Sequence, residues 1–175
     1  QNPRSIRLDG TNDYFTVTTT SLLNLNQVFT FTAWIYLDQL LSDDMEIFMR
    51  SDGTGQNELN FAIEDDEKLA VHIDGSTYKS NSTVGIAQWL HVAGVRNGSS
   101  LKLYINGVLD KTHSTTKTPN FGSCNTLNLA SDIDSGGNGC TTPRGNYWKG
   151  KLDDIRIYDR ALTDAQIASL GAGNP

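Results

Sequence analysis

The sequence predicts an all-β fold, a two-sheet antiparallel β-sandwich with one short C-terminal helix. Residues 13–18, 29–36 and 59–63 alternate aromatic or β-branched residues with polar residues at period two. This alternation is typical of strands that bury one face. A helical pattern is confined to residues 163–171, near the end of the chain.

The segment 29–36 indicates that the fold has two layers. Phe29 and Phe31 fall on one face of this strand, whereas Trp34 and Tyr36 fall on the other. Because both faces carry bulky side chains, both must be at least partly covered, as in an inner strand of a sandwich. The residues that we expect to be buried are Phe29, Phe31, Ala33, Trp34, Trp89, Val92, Leu103, Ile105, Trp148 and Ile157.

Turn and capping signals separate the predicted strands. Asn106-Gly107 predicts a type I′ hairpin, since both central residues of that turn need positive φ. Residues 65–68 and 97–100 have the composition of further turns. Thr163 and Gln166 have capping-box spacing, and Gly171 can end the helix.

Length and charge restrict the partners. The chain has 175 residues and a formal net charge of -6, and this length suits one domain over residues 1–175. Phosphate binding relies on clustered lysine and arginine, so the acidic balance argues against nucleic acid. No apolar run approaches the roughly 20 residues of a spanning helix, and we expect no membrane insertion.

The two cysteines, Cys124 and Cys140, both lie in sequence rich in Gly, Ser, Asn and Thr, where a free thiol would be exposed. This context favours a disulfide, which would stabilise the fold by about 3 kcal/mol in the chain-entropy model. A disulfide implies an oxidising, extracellular compartment. The alternative is a pair of unpaired surface thiols in a cytosolic protein.

Several segments, taken in order, resemble a known family. An Asp-Gly opening at 8–15 is followed by a Trp-x-His-Val-Ala strand at 89–93 and the Asn-Gly hairpin. An Asp-Asp strand with Arg-Ala-Leu-Thr closes the set at 149–163. In this order they resemble the LamG-like jellyroll domains of the concanavalin A-like lectin/glucanase superfamily, over a core from about 5 to 170. The resemblance implies a jelly roll.

The resemblance also implies a structural calcium ion between the two ends of the chain. Calcium takes six to eight oxygen ligands in irregular geometry, which carboxylates and a backbone carbonyl from two chain ends can supply. Without the resemblance, Asp153 and Asp154 would read as an ordinary exposed pair on an edge strand. The candidate ligands are Asp9, Gly10, Asn12, Asp13, Asp153 and Asp154.

The segment 131–147 is the longest irregular stretch, and long ordered loops on a sandwich often carry binding sites. Its carboxylates, amides, guanidinium and aromatic ring are the groups that hydrogen-bond and stack on sugars. One alternative is a solvent-exposed loop that the disulfide stabilises and that binds nothing. Another is a second, ligand-bridging calcium at Asp132 and Asp134. The candidate ligand-binding residues are Asp132, Asp134, Asn138, Arg144, Asn146, Tyr147 and, outside this segment, Tyr78.

The aromatic residues divide into core and platform candidates. Trp34, Trp89 and Trp148 occupy positions that pack the interior in similar domains, so core is the favoured interpretation. Tyr78, Phe121 and Tyr147 stand in polar, turn-rich sequence and are better candidates for stacking on a sugar.

Catalysis is not favoured by the sequence. Glucanases of this fold place two catalytic carboxylates on one strand, usually in a Glu-x-Asp-x-Glu motif. The closest match has Glu64, Asp66 and Lys68 on one face, so the last acid is missing. The sequence therefore predicts a secreted or cell-surface carbohydrate-binding module that binds a polysaccharide or glycan, a monomeric domain within a larger protein. The alternative is an adhesion or protein-interaction module, and a glycoside hydrolase comes third.

Overall fold

In the computed structural model, the residues described are 5–18, 25–51, 58–121, 126–132, 145–173 and 175. Within these ranges the chain forms two antiparallel six-stranded sheets and one helix. The predicted β-sandwich with a short C-terminal helix is confirmed. None of the helical structure in these ranges is long and apolar enough to cross a membrane.

Sheet I brings the first and last strands together. Its strands, in spatial order, are β1 (Ile6–Asp9), β12 (Lys149–Tyr158), β3 (Val28–Leu37), β8 (Trp89–Asn97), β9 (Ser100–Ile105) and β10 (Val108–Ser114). Because β12 lies between β1 and β3, Leu152 pairs with Ile6 on one side and Ile35 on the other.

Sheet II forms the opposite layer. Its strands, in spatial order, are β2 (Phe15–Thr18), β11 (Thr126–Leu129), β4 (Met45–Ser51), β5 (Glu58–Ile63), β6 (Lys68–Ile73) and β7 (Ser76–Thr83). The alternation of β5 turns Leu59, Phe61 and Ile63 toward sheet I, where they join the core, and leaves Asn60 on the outer face.

The core lies between the sheets and is centred on aromatic rings. The ring centroid of Phe31 lies 4.0 Å from that of Phe61 and 4.8 Å from that of Phe48. Most of the predicted core residues are buried, including Trp34 and Trp148. Three are only half-buried, because they stand at or near strand ends: Trp89, Ile105 and Ile157.

Two local signals act as predicted. Asn106 and Gly107 both have positive φ, at 50° and 75°, as a type I′ turn requires. Helix α1 (Asp164–Gly171) begins with the predicted capping box, in which Thr163 N–H donates to Gln166 Oε1 at 2.9 Å. The helix is capped by Ala172, one residue beyond the predicted stop at Gly171.

Candidate functional site

A row of mostly polar side chains crosses the outer face of sheet II from edge to edge. Strand register aligns one residue from each strand in this polar row, and the row runs Thr16, Asn128, Met49, Asn60, His72 and Thr77. At one end Thr16 Oγ1 donates to Asn128 Oδ1 at 3.3 Å, and at the other Thr77 Oγ1 lies 3.2 Å from His72 Nδ1.

Asp44 and Glu64 lie beside the polar row and form a compact group with His72 of that row. One donor atom from each of the three residues lies within 4.8 Å of the others. Met45 pairs with Ile63 across β4 and β5, so Asp44, just before β4, lies near Glu64, just after β5. Glu64 Oε1 lies 2.5 Å from His72 Nε2, and its Oε2 lies 3.0 Å from Lys79 Nζ.

The two carboxylates of this group have pKa values that are shifted in opposite directions. Burial opposes ionisation of Glu64, but the hydrogen bonds and charges of His72 and Lys79 outweigh it and lower the pKa of Glu64. Burial, followed by the charge of Glu64, raises the pKa of Asp44. The neighbours of Glu64 therefore favour its carboxylate form, whereas the surroundings of Asp44 favour its acid form.

Glu46 is the most deeply buried acid on this face, with 1% of its surface exposed. Asn60 Nδ2 donates to Glu46 Oε1 at 3.0 Å. Oε2 has no partner at hydrogen-bond distance in the described part of the chain, and the Asn146 side chain lies near enough to lower the pKa of Glu46. Burial raises the pKa of Glu46 well above its ordinary value, and the charge of Asp132 raises it further. Such an acid costs stability unless something else occupies its free oxygen.

The base of the predicted binding loop is attached to this face. Asp132 N–H donates to Gly145 O at 3.0 Å, and Glu46 N–H donates to Asn146 O at 3.0 Å. These two bonds hold both ends of the loop beside β4. The loop residues Asp132 and Asn146 are therefore neighbours of Glu46, and Tyr147 is half-buried next to them.

Buried polar atoms without a hydrogen-bond partner in the described ranges concentrate here. Native proteins leave few such atoms, and a cluster of them calls for a ligand, an ion or water. Those on or beside the outer face of sheet II are Glu46 Oε2, Glu58 Oε2, Asn60 Oδ1, Asn128 Nδ2 and Ser131 Oγ. This concentration makes the outer face of sheet II the candidate binding site.

Sequence reasoning found only the loop side of this site. Glu46, Asn60 and His72 were missed because each stands inside a strand of otherwise apolar residues. The available signal was a polar residue between two apolar neighbours in each strand, in Met-Glu-Ile, Leu-Asn-Phe and Val-His-Ile. Glu64 was considered only as part of a catalytic motif.

Other predicted ligand-binding residues have different positions. Tyr78 pairs with Val71 and packs against the core, and its hydroxyl donates to Thr115 Oγ1 at 2.6 Å. Tyr78 therefore points away from the outer face of sheet II. Phe121, considered as a stacking platform, is buried with the Arg50 guanidinium 4.1 Å from its ring centroid.

Some predictions concern residues that the structure does not describe. The loop candidates Asp134, Asn138 and Arg144 lie outside the described residues. So do Cys124 and Cys140, together with the disulfide expected between them.

The structure does not bring together the two halves of the calcium site expected between the chain ends. Asp9 pairs with Lys149, whereas Asp153 pairs with Trp34 at the far end of β1. At 3.3 Å per residue, this offset is roughly 13 Å. Asp154 lies in a bulge of β12, where its Oδ1 accepts a 2.6 Å hydrogen bond from Arg156 Nε.

The N-terminal half of that expected site is a compact turn. Asp9 N–H donates to Asp13 Oδ2 at 2.9 Å, and Thr11 N–H donates to Asp9 Oδ1 at 2.8 Å. Gly10 has a φ of 78°, and Asn12 is exposed. Two carboxylates, an amide and a carbonyl are therefore grouped in this turn without Asp153 or Asp154.

Comparison with known families identifies the fold from the sequence alone. The family model Laminin_G_3, described as the concanavalin A-like lectin/glucanases superfamily, matches residues 9–168. The chain has no significant match among curated proteins.

Solved structures share the fold at low identity. The CBM40 of the Ruminococcus gnavus IT-sialidase, bound to α2,3 sialyllactose, has a TM-score of 0.77 at 11% identity, covering 96% of this chain and 95% of that one. A heptameric SAP-like pentraxin from Limulus polyphemus has a TM-score of 0.69 at 18% identity, covering 96% and 81%. Domain 4 of AbnA, an extracellular GH43 arabinanase from Geobacillus stearothermophilus in complex with arabinotriose, has a TM-score of 0.63 at 18% identity, covering 95% and 71%. At these identities the likeness establishes the fold alone.

Proposed function

Because the chain belongs to the concanavalin A-like lectin/glucanases superfamily, we propose that it is a non-catalytic carbohydrate-binding domain whose glycan lies on the outer face of sheet II. The observation that carries the proposal is the concentration of buried polar atoms without partners on that face. Sugar hydroxyls both donate and accept hydrogen bonds, so one ligand can satisfy carboxylate, amide and hydroxyl groups together.

The site has both acceptors and donors for a sugar. Glu46 and Asn60 provide free oxygen atoms, and Asn128 provides an amide Nδ2 that lacks a partner in the described ranges. Tyr147, half-buried at the base of the loop, adds an aromatic ring at the edge of the same face. Hydrogen bonds in such a shallow polar site compete with water, so we expect weak affinity for a single sugar unit.

The solved relatives support this proposal by their chemistry. The sialidase domain holds a sialylated trisaccharide, and the arabinanase domain holds an arabinose oligomer and comes from an extracellular enzyme. In both, the domain accompanies a separate catalytic activity. We propose the same arrangement here, a monomeric, secreted or cell-surface domain over residues 1–175 of a larger protein, with Cys124 and Cys140 joined.

Binding without cleavage is part of the proposal. Glu64 and Asp66 match the first two acids of the glucanase motif, but Lys68 stands where the last acid would be, and Asp66 lies in the turn after β5. Asp66 instead pairs with Lys79 at 3.2 Å. Incubation of the protein with glycans that it binds, followed by chromatography of the products, should show intact glycan.

A calcium ion is proposed at the turn of residues 9–13 alone. Asp9 and Asp13 would supply carboxylates, Gly10 its carbonyl and Asn12 its amide oxygen, all of which are calcium ligands. Adding Ca²⁺ to wild-type protein that has been stripped with EDTA and dialysed should then raise its melting temperature by mass action. The Asp13→Ala variant should show no such rise, and Asp154→Ala should behave like wild type.

A protein-interaction function is the second candidate, and one surface favours it. The edge strands β1 and β2 and the turn between them expose four large apolar side chains, which is unusual for a soluble surface. They are Ile6, Tyr14, Phe15 and Val17. If this edge is the binding surface, Phe15→Ser should abolish capture of a protein partner, while variants on the outer face of sheet II should leave capture intact.

Affinity electrophoresis and a glycan panel test the first candidate. Asn60→Ala and Tyr147→Ala should each weaken binding to a retained polysaccharide at least tenfold, about 1.4 kcal/mol. Asn97→Ala, an exposed amide at the end of β8 in sheet I, is the matched control and should bind like wild type. Loss of binding in the control, or retention in both site variants, would place the glycan elsewhere.

A further inference from the structure

We propose that Asp44, Glu64 and His72 form a site for a divalent transition-metal ion of the zinc class, on the outer face of sheet II where β4 begins and β5 ends, beside β6. This inference does not depend on glycan binding. The three donor atoms lie within 4.8 Å of one another. Ligand atoms around a tetrahedral zinc ion, with bonds of 2.0–2.1 Å, are separated by about 3.3 Å. Small side-chain movements would therefore bring these three donor atoms to the spacing that one zinc ion requires.

The chemistry of the donors selects the metal. An imidazole nitrogen with two carboxylates suits zinc and its first-row neighbours, whereas calcium takes oxygen ligands only. Here His72 supplies the nitrogen, and Asp44 and Glu64 supply the oxygens. The group therefore differs from the turn of residues 9–13, where the donors are all oxygens.

The ring of His72 is already oriented as a metal ligand requires. Metal-binding histidines usually donate their second ring N–H to an oxygen, which fixes the ring and the tautomer. Thr77 Oγ1 lies 3.2 Å from His72 Nδ1 and can accept its proton, while Nε2 faces Glu64 Oε1. A metal ion would replace the proton between Nε2 and Oε1 and widen that 2.5 Å gap by roughly 0.8 Å.

Glu46 gives independent support for a cation at this position. Its carboxylate is buried, and its Oε2 has no hydrogen-bond partner among the described residues. Its Oε1 accepts from Asn60, which pairs with His72 of β6, so this carboxylate lies on the same face as the three ligands. A divalent cation beside it would offset the cost of burying this carboxylate.

Lys79 offers a way to distinguish a metal site from a purely structural ion pair. Its Nζ lies 3.0 Å from Glu64 Oε2 and competes with any metal for that carboxylate. Removing this cation should therefore strengthen metal binding. If the group is only a salt-bridge network, removing Lys79 would loosen it and create no metal affinity.

Titration calorimetry with Zn²⁺ and visible absorption with Co²⁺, both on untagged protein after alkylation of any free thiol, test the proposal. Wild type should bind one equivalent, and His72→Asn and Asp44→Asn should each weaken binding at least tenfold. Lys79→Met should bind several-fold more tightly. The matched control is Lys117→Met, which breaks the ion pair with Asp74 and should bind like wild type.

Folding is checked for every variant by circular dichroism. If His72→Asn does not fold, the half-buried Asp44 and Lys79 positions decide the outcome. The proposal is overturned if wild type binds no Zn²⁺ at millimolar concentration, if His72→Asn or Asp44→Asn binds as wild type does, or if Lys79→Met does not bind more tightly.

Discussion

The two outer faces of the sandwich differ in how they are covered. On sheet I, Ile167 of helix α1 and Leu162, just before the helix, pack against Ala93, Val95 and Tyr104. The Tyr104 hydroxyl at this junction donates to Asp164 Oδ1 at 2.7 Å, and His91 Nδ1 is the buried side-chain atom of this face without a partner in the described ranges. On sheet II, the polar row and its acids bury oxygens and nitrogens that lack partners in the described ranges.

This difference separates stability from function. A face that buries apolar side chains against a helix contributes free energy of folding. A face that buries unpaired acids loses free energy, and proteins keep such groups where a ligand will meet them. Substitutions on the two faces should therefore act in opposite directions on stability.

The largest effect is expected from the covered face. Ile167→Ala removes a fully buried side chain of α1 and leaves a cavity over sheet I. We expect a loss of about 3 kcal/mol of unfolding free energy, which lowers the melting temperature of a domain of this size by roughly 6–12 °C. Chemical denaturation and calorimetry measure both quantities. Ser169→Ala, exposed on the same helix, should stay within about 0.5 kcal/mol of wild type.

His91, on the same face of sheet I, should make stability depend on pH. Burial lowers the pKa of His91 to about 4, although the charge of Asp154 opposes the shift. The unfolded chain takes up this proton near 6.5, so it binds more protons than the folded chain between these values. The contribution of His91 to the free energy of unfolding is therefore fully present above pH 6.5 and is lost as the pH falls toward 4.

His91→Phe keeps a ring against Trp34, whose centroid lies 5.4 Å away, and removes the titration. Between pH 7 and pH 5, wild type should lose about 2 kcal/mol more than His91→Phe, by proton linkage. Urea unfolding at both pH values measures the difference. Parallel losses in the two proteins would mean that His91 is hydrated in the folded state.

The smallest and opposite effect is expected at Glu46. Its pKa is raised in the folded state, so its cost grows as pH rises above the unfolded value and is absent in acid. Glu46→Gln keeps the acceptor for Asn60 and removes the charge. At pH 7 it should stabilise by about 1 kcal/mol, or roughly 2–4 °C in melting temperature, and weaken glycan binding.

Two comparisons check the interpretation of Glu46. Glu67→Gln, at an exposed position, should change unfolding free energy by less than about 0.5 kcal/mol. The gain in Glu46→Gln should disappear at pH 4. A destabilised Glu46→Gln at neutral pH would show that the ionised acid is held by favourable contacts.

Local patterns predicted the fold well because its determinants are local. The alternation in β3, the Asn106-Gly107 turn and the Thr163 cap each act through neighbours in sequence, and all three appear as expected. Gly150 is a contrasting case. Its φ is 146°, and a Cβ there would lie 1.9 Å from Tyr36 O, a constraint imposed by a strand distant in the chain.

The candidate site was harder to predict because register creates it. Asn60 and His72 are neighbours only through the pairing of β5 with β6, and Asn128 joins them through β11 and β4. The same cause separated the expected calcium ligands, since pairing of β1 with β12 moved Asp9 away from Asp153. Spacing along the chain does not contain this information.

The insertion of β12 between β1 and β3 also sets the order of events during synthesis. The strand of Trp34, β3, cannot pair with β12 until Asp153 has been translated. Until then β1 also has no partner in sheet I. At about 5–20 residues per second, the ribosome takes seconds to reach that point. Sheet I therefore closes only after β12 has been synthesised, and pairing over so long a loop is slow. Until then, the edge of β3 that later pairs with β12 keeps unpaired backbone groups.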